Sequence, residues 1–449
     1  MKRKIYQDLL RWKNEKKGRT ALLVEGARRI GKSYIVEAFG KNEYKSYILV
    51  DFNDMETELL EIFEHYLSNR DEFFIRLSLY YGVKLYTRES LIIFDEVQQY
   101  PKARAAIKYL VKDGRYDYIE TGSLISIKKN VTDIVIPSEE QAVEMFPMDF
   151  EEFLWALGDE MTMDFVRRQF HRLEPMGSLH RKVMDLFRAY MIVGGMPQAV
   201  QTYVETRDFD LVDEIKRGII RLYRTDISKY ATRAESKVTG IFDEIPAQLQ
   251  RHERKFRLSA LRSDAKMRDY EDSFFWLDDA KIVNITYNTT APDLGLRLNR
   301  QRKTLKCYFC DTGLLISHTF DENIIAREEL YKKLILNKLE VNKGMFVENL
   351  VAQMLRASGH KLYFYSNSDR DNAVNRMEID FLIPKAVVTN RHNICPVEVK
   401  STNRYSLTSL QKFRRKFAEQ TATPYVLHTS DLKTDDGITY LPLYMAPLL

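Results

Sequence analysis

Eight residues, Gly26-Ala27-Arg28-Arg29-Ile30-Gly31-Lys32-Ser33, constrain this chain most, because they match the G-x-x-x-x-G-K-[ST] phosphate loop without a mismatch. An apolar run that reads as a strand, Thr20 to Val24, precedes them, and a run that reads as a helix, Tyr34 to Phe39, follows. That context matters because the glycines let backbone N–H groups close around phosphate oxygens while the helix presents its positive end. Lys32 is expected to neutralise β- and γ-phosphate charge, and the Ser33 hydroxyl to ligate Mg²⁺. Gly26, Ala27, Arg28, Arg29, Ile30, Gly31 and Tyr34 complete the expected contact with ATP. A second stretch fits the same ligand. Leu91-Ile92-Ile93-Phe94 is continuously apolar, as a parallel strand buried on both faces should be, and it ends in Asp95-Glu96. Acids at such a strand end lie where doubly wound sheets bind ligands. Asp95 is expected to hold Mg²⁺, and Glu96 to orient and deprotonate the attacking water.

Strand order narrows the class. Ser46 to Val50, ending at Asp51, lies between the loop and Asp95; Tyr116 to Glu120, ending in Thr121-Gly122-Ser123, lies after it. The Asp95 strand is thus third along the chain, leaving room for a strand between it and the phosphate-loop strand. Thr121 or Ser123 would then sit at a strand tip, where a small hydroxyl senses the γ-phosphate; an ordinary turn is the competing reading.

These pieces resemble AAA-type ATPases of bacteria and archaea whose P-loop domain precedes a winged-helix segment and a restriction-endonuclease-like domain. The resemblance rests on the loop, on Ile92-Ile93-Phe94-Asp95-Glu96-Val97-Gln98 and on Glu120-Thr121-Gly122-Ser123. It extends through Phe146-Pro147-Met148-Asp149-Phe150-Glu151-Glu152-Phe153-Leu154, Gly194-Gly195-Met196-Pro197 and Tyr308-Phe309-Cys310-Asp311-Thr312-Gly313-Leu314-Leu315. It implies an α/β protein with a P-loop NTPase parallel sheet at 1–150 and a helical lid at 151–235. A winged helix at 236–318 and a C-terminal α/β restriction-endonuclease-like domain at 319–449 complete the expected order. A length of 449 residues accommodates such a series.

Within the expected lid, Phe150, Phe153, Leu154 and Leu157 share a helical face, and Gly194 to Pro197 breaks the pattern between two helices. Arg221 or Arg224 is a candidate sensor. In the winged-helix segment, Phe256 to Leu261 is expected to open a helix and Met267 to Asp279 to form another. A two-stranded wing, Ile282 to Tyr287 and Lys303 to Phe309, would follow. Arg297, Arg300, Arg302, Lys303 and Lys306 give it a basic edge, suited to phosphates or simply solvated.

The C-terminal third repeats the pattern of a second chemical site. Lys343 to Ala357 reads as a helix carrying Glu348; Leu362 to Tyr365, Glu378 to Ile383 and Cys395 to Ser401 read as strands. Period-two alternation points Glu398 and Lys400 to one face. Asp380 followed by Glu398-x-Lys400 looks like the D…(D/E)-x-K centre of restriction-type nucleases. In that resemblance Asp380 and Glu398 bind Mg²⁺, Glu348 adds a contact, and Lys400 steadies water or phosphate. Glu-x-Lys is also a common cross-strand ion pair. Basic residues Lys412, Arg414, Arg415 and Lys416 on the next helix would suit DNA phosphates.

No apolar run approaches the ~20 residues of a membrane span, and the basic Met1-Lys2-Arg3-Lys4 lacks the apolar segment of a signal peptide. Tyr6, Leu9, Leu10 and Trp12 suggest an amphipathic helix instead. With 3 cysteines there is no disulfide framework, and the cytoplasm is expected. The expected protein is an Mg²⁺-dependent ATPase with DNA as partner, whose C-terminal domain binds DNA; cleavage of that DNA and self-association through the ATPase domain are both left open. The alternative is a nucleotide-dependent signalling switch in which the nuclease-like domain is a catalytically inactive docking module.

Overall fold

The computed structural model describes residues 1–122, 138–231, 234–251, 253–321, 343–368, 375–385, 387–402 and 404–449. Two compact units divide it: 1–146 with 279–281, and 147–278 with 282–449.

The first unit is built on five parallel strands: β1 (Ala21–Glu25), β2 (Ser46–Asp51), β3 (Ser90–Asp95), β4 (Asp117–Gly122) and β5 (Glu140–Glu144). Their order is β2-β3-β4-β1-β5, so β4 does lie between the Asp95 strand and the phosphate-loop strand. Register pairs Val24 with Thr121 and Glu25 with Gly122, while Phe94 pairs with Glu120. The ends of β1, β3 and β4 therefore reach one edge, which is what gathers the site. Every residue of β3 and β4 is buried, β3 as its apolar run requires and β4 with Asp117, Glu120 and Thr121 carried inside. Below them Phe52, Phe63, Phe73, Phe74, Phe94 and Tyr118 pack as one aromatic core. Each such ring contributes roughly 1.5–3 kcal/mol on burial. The helix Pro101–Asp113 has local start and stop signals: proline opens it, and Gly114 closes it at φ 76°.

An N-terminal helix, Ile5–Lys16, buries Ile5, Leu9 and Trp12, which recur at i, i+4 and i+7. The Trp12 indole N–H donates to the Thr20 carbonyl at 3.2 Å, anchoring the helix to the start of β1. Leu10, expected on the same face, is only partly buried.

The second unit centres on eight strands: β6 (Val283–Thr289), β7 (Arg300–Phe309), β8 (Tyr363–Asn367), β9 (Met377–Pro384), β10 (Ile394–Val399), β11 (Tyr425–His428), β12 (Lys433–Asp435) and β13 (Ile438–Pro442). Their order is β12-β13-β11-β10-β9-β8-β6-β7. The β6–β7 hairpin exists, but it does not stand apart as a wing. β6 pairs in parallel with β8, Tyr287 against Tyr363, so the 236–318 and 319–449 segments share one sheet. Six of the seven β6 residues are buried, a strand that needs neighbours and cover on both faces. The helix expected from Phe256 is also replaced by a single 3-10 turn, Leu258–Ala260. There the Phe256 N–H donates to the Leu305 carbonyl at 2.9 Å, diverting the backbone to β7.

Three of the family-like motifs meet in this unit. The Met148 N–H donates to the Gly195 carbonyl at 2.7 Å, and the Gly195 N–H donates to Asp311 Oδ2 at 2.6 Å. Asp311 Oδ1 caps the helix Thr312–Thr319 by accepting from the Leu314 N–H at 2.9 Å. A Cβ on Gly195 would lie 2.1 Å from the Met148 carbonyl oxygen, and one on Gly313 would lie 2.6 Å from that of Val193. These glycines are there because backbones touch. The motifs specify packing.

Candidate functional sites: a phosphate loop and an acid cluster

The phosphate loop leaves β1 and enters the helix Lys32–Glu43. Gly26 admits no side chain, since a Cβ would come within 2.4 Å of the Met145 carbonyl oxygen. Arg29 at φ 69° and Gly31 at φ 90° are both left-handed, which curls the backbone over the helix N-terminus. Ile30 is fully buried and pins the loop to the core, while Arg28 and Arg29 are exposed. Arg3 is a component the sequence reading missed. Its guanidinium donates to the Ile30 carbonyl at 2.8 Å and to the Phe146 carbonyl at 2.6 Å. It thus ties the loop to the segment after β5, and no local pattern marks it.

Lys32 is buried, and its ammonium donates to the Gly26 and Ala27 carbonyls at 3.1 and 3.0 Å. The Ser33 hydroxyl donates to Asp95 Oδ1 at 2.8 Å, and the Thr121 hydroxyl donates to the same oxygen. Thr121 in turn accepts from the Glu96 N–H at 3.1 Å. Glu96 sits at φ 52°, and the Gln98 amide donates to its carboxylate. Gln98 lies in the motif already singled out, but its bond to Glu96 was not anticipated. Burial raises the Asp95 carboxyl above its ordinary range; hydrogen bonds from Thr121 and Ser33 pull it down, and Glu96 and Asp51 push it up. A buried carboxylate with a serine hydroxyl against it is a hard-oxygen pair that suits Mg²⁺. Ser33 and Asp95 are the residues that would hold the ion. Tyr34 is 58% exposed beside the loop. Ser123 lies outside the described residues; Thr121 is the described hydroxyl at that strand tip.

Within the second unit, Glu348, Glu378, Asp380, Glu398 and Lys400 do come together, but around a cation. Lys306, expected on the basic edge of a wing, is fully buried. Its ammonium lies 2.8 Å from Glu378 Oε1, 3.2 Å from Glu348 Oε1 and 3.8 Å from Asp380 Oδ1. β7 is covered on both faces from Leu305 onward, which carries Lys306 inside. Tyr308 and Arg254 also donate to Glu348. Asp380 Oδ2 accepts from the Val399 N–H at 2.8 Å. The alternation along β10 places Lys400 against Glu398 Oε2 at 2.5 Å, leaving Glu398 Oε1 buried without a hydrogen-bond partner. Burial and the neighbouring Asp380 push Glu398 up to about 7, against the pull of Lys400. Burial also acts to raise Glu378, but Lys306 outweighs it and holds that carboxyl below its usual range. Among the described residues no group of three or more His, Cys, Asp or Glu side chains is arranged to hold a metal ion. The acids therefore do not fit a divalent metal as arranged. The candidate sensor Arg224 is engaged inside its own unit, with Asp321 at 3.0 Å and Asp243 at 3.1 Å.

Residues 18–154 match the family described as AAA domain, and the first unit is an AAA-type P-loop ATPase domain whose implied ligand is ATP. Residues 184–323 and 343–446 match two further families, each described as a domain of unknown function (DUF8612 and DUF4143). No curated protein matches the chain in sequence. Among solved structures, a Walker-type ATPase of Pyrococcus abyssi is 16% identical over 71% of this chain and 95% of its own, with a TM-score of 0.42. Cdc6p from Pyrobaculum aerophilum is 13% identical over 75% of this chain and 94% of its own, at a TM-score of 0.27. Drosophila ORC bound to DNA is 12% identical over 74% and 95%, at 0.26. Similarities this loose have no bearing on function. Among the described residues no helix is long and apolar enough to cross a membrane.

Proposed function

We propose that this chain is an Mg²⁺-dependent ATP hydrolase whose C-terminal unit engages DNA. The observation that carries the reading is the convergence of Ser33 and Thr121 on one oxygen of Asp95, beside a buried Lys32. In this reading the backbone N–H groups of the loop bind the phosphates, and Lys32 leaves its loop carbonyls for the β/γ oxygens. Mg²⁺, held by Ser33 and Asp95, supplies charge neutralisation at the phosphates. Glu96, oriented by Gln98, accepts the proton of the attacking water, and Thr121 fixes the backbone from which Glu96 projects. Self-association through the ATPase domain belongs to the same proposal.

DNA contact is proposed through the exposed Arg297, Arg302 and Lys303 of the β6–β7 hairpin and the exposed Arg415 and Lys416 of the helix Thr408–Lys416. A second reading, a nucleotide-dependent switch with a catalytically silent docking module, is favoured by one observation: Lys306 already occupies the acid cluster. Phosphate release from wild type, Glu96→Gln and Lys32→Ala, each with and without DNA, tests the proposal. Removing a general base lowers turnover about 10²–10⁴-fold, so Glu96→Gln is expected to bind ATP and barely hydrolyse it. Turnover unchanged in Glu96→Gln refutes the assigned base. Absence of salt-dependent DNA binding even in dilute buffer leaves the switch.

A further inference from the structure

The acid cluster of the second unit contains its own counter-ion. Glu348 comes from the helix Lys343–Ala357, Glu378 and Asp380 from β9, Glu398 from β10 and Lys306 from β7, so five side chains on four elements meet, with Glu378 and Asp380 only partly buried. The Lys306 ammonium is 0% exposed and touches Glu378, Glu348 and Asp380, the last at ion-pair distance. The other carboxylate oxygens are largely committed as well. Glu348 takes Arg254 and Tyr308, Asp380 takes the Val399 N–H, and Glu398 takes Lys400. Within the cluster, Glu398 Oε1 is buried without a hydrogen-bond partner.

A divalent ion bound by Glu348 and Asp380 would have to share their space with this ammonium. Two cations so close, in a medium that screens poorly, repel strongly. Expelling Lys306 instead would part an ammonium that is 0% exposed from the three carboxylates that pair with it. Chelation through both Asp380 oxygens would also compete with the bond from the Val399 N–H.

We infer that Lys306 is the permanent counter-ion of this cluster, so that the C-terminal unit works without a divalent metal and binds rather than hydrolyses its partner. The lysine supplies the positive charge that a metal supplies in a metal-dependent phosphodiesterase, but it offers no open coordination position to activate water. The inference does not rest on the ATPase reading, because it concerns residues of the other unit.

Mn²⁺ uptake by the full chain, followed by electron paramagnetic resonance without nucleotide in an Asp95→Asn background, isolates the cluster. The parent is expected to take up no Mn²⁺ that a further Asp380→Asn change removes. Lys306→Met, which keeps length and loses charge, is expected to gain about one Mn²⁺ per chain, lost again on adding Asp380→Asn. Lys306→Arg keeps the charge and is expected to stay metal-free; it serves if Lys306→Met does not fold. A parent-bound ion lost with Asp380→Asn, a folded Lys306→Met that gains none, or a Lys306→Arg that gains one overturns the inference.

Discussion

One hydroxyl, that of Thr121, links Asp95 to the Glu96 backbone in the proposed ATPase site, and replacing Thr121 with valine removes that hydroxyl at nearly constant volume. In the native site the hydroxyl donates to Asp95 and accepts from the Glu96 N–H at 3.1 Å. Two losses follow from Thr121→Val. A hydrogen bond to a charged acceptor is worth about 1.5–3 kcal/mol, and a buried donor left unsatisfied costs about 1–3 kcal/mol. Partial relaxation of the Glu96 backbone offsets some of this, so the first unit is expected to lose about 2–4 kcal/mol. For a unit of this size each kcal/mol moves the midpoint by about 2–4 °C, so its thermal transition should fall by roughly 4–16 °C. Asp95 also loses one of the two hydrogen bonds that oppose its burial, so its carboxyl rises further. Differential scanning calorimetry resolving the two units, paired with phosphate release, is the assay. Thr121→Ser, which keeps the hydroxyl, is expected to recover most of both losses. A valine variant with an unmoved transition and wild-type turnover would refute the argument, because the hydroxyl would then be dispensable.

Arg3→Ala is expected to loosen the phosphate loop and weaken ATP binding by about tenfold, from the loss of charged bonds to two backbone carbonyls; calorimetric titration checks it, and unchanged affinity speaks against the tie. Gly195→Ala forces a methyl against the Met148 carbonyl oxygen at 2.1 Å. It is expected to destabilise the second unit by about 1–3 kcal/mol or more, read as a lowered second transition with the first unmoved. Lys216 is fully buried and donates to the Ile192 carbonyl at 2.8 Å; burial depresses it to about 8, against the pull of Asp213 and Asp311. Between that value and the ordinary lysine range the unfolded chain holds the extra proton. Stability of the second unit should therefore rise with pH through this window, by at most about 1.4 kcal/mol per pH unit from this group. Chemical denaturation from pH 8 upward should show that slope flatten in Lys216→Met; an unchanged slope assigns the titration elsewhere.

What was legible in the chain was whatever is written locally. Gly26 to Ser33 declares itself because phosphate binding needs particular residues at fixed spacing, and Asp95 because an acid closes an otherwise apolar strand. Counting strands left room for one between β3 and β1, and β4 fills it. Period-two alternation also put Glu398 and Lys400 on one face, where they form an ion pair. What stayed hidden depends on distance along the chain. Arg3 meets the carbonyl of Phe146, 143 residues away, and nothing near Arg3 signals it. The pairing of β6 with β8 joins Tyr287 to Tyr363 across the whole intervening segment, so the hairpin read as a free wing. Lys306 followed from that reading: a lysine among Arg300, Arg302 and Lys303 looks solvated until the sheet closes over it.

Uptake of Mg²⁺–ATP by the loop and its aspartate is the property on which everything else depends. Isothermal titration of ATP with Mg²⁺ into wild type and into Lys32→Ala, with folding of both verified by circular dichroism, decides it. Saturable heat at about one nucleotide per chain in wild type, lost in Lys32→Ala, is the expected result. A folded wild type that evolves no heat, or a Lys32→Ala chain that binds as tightly, would contradict it.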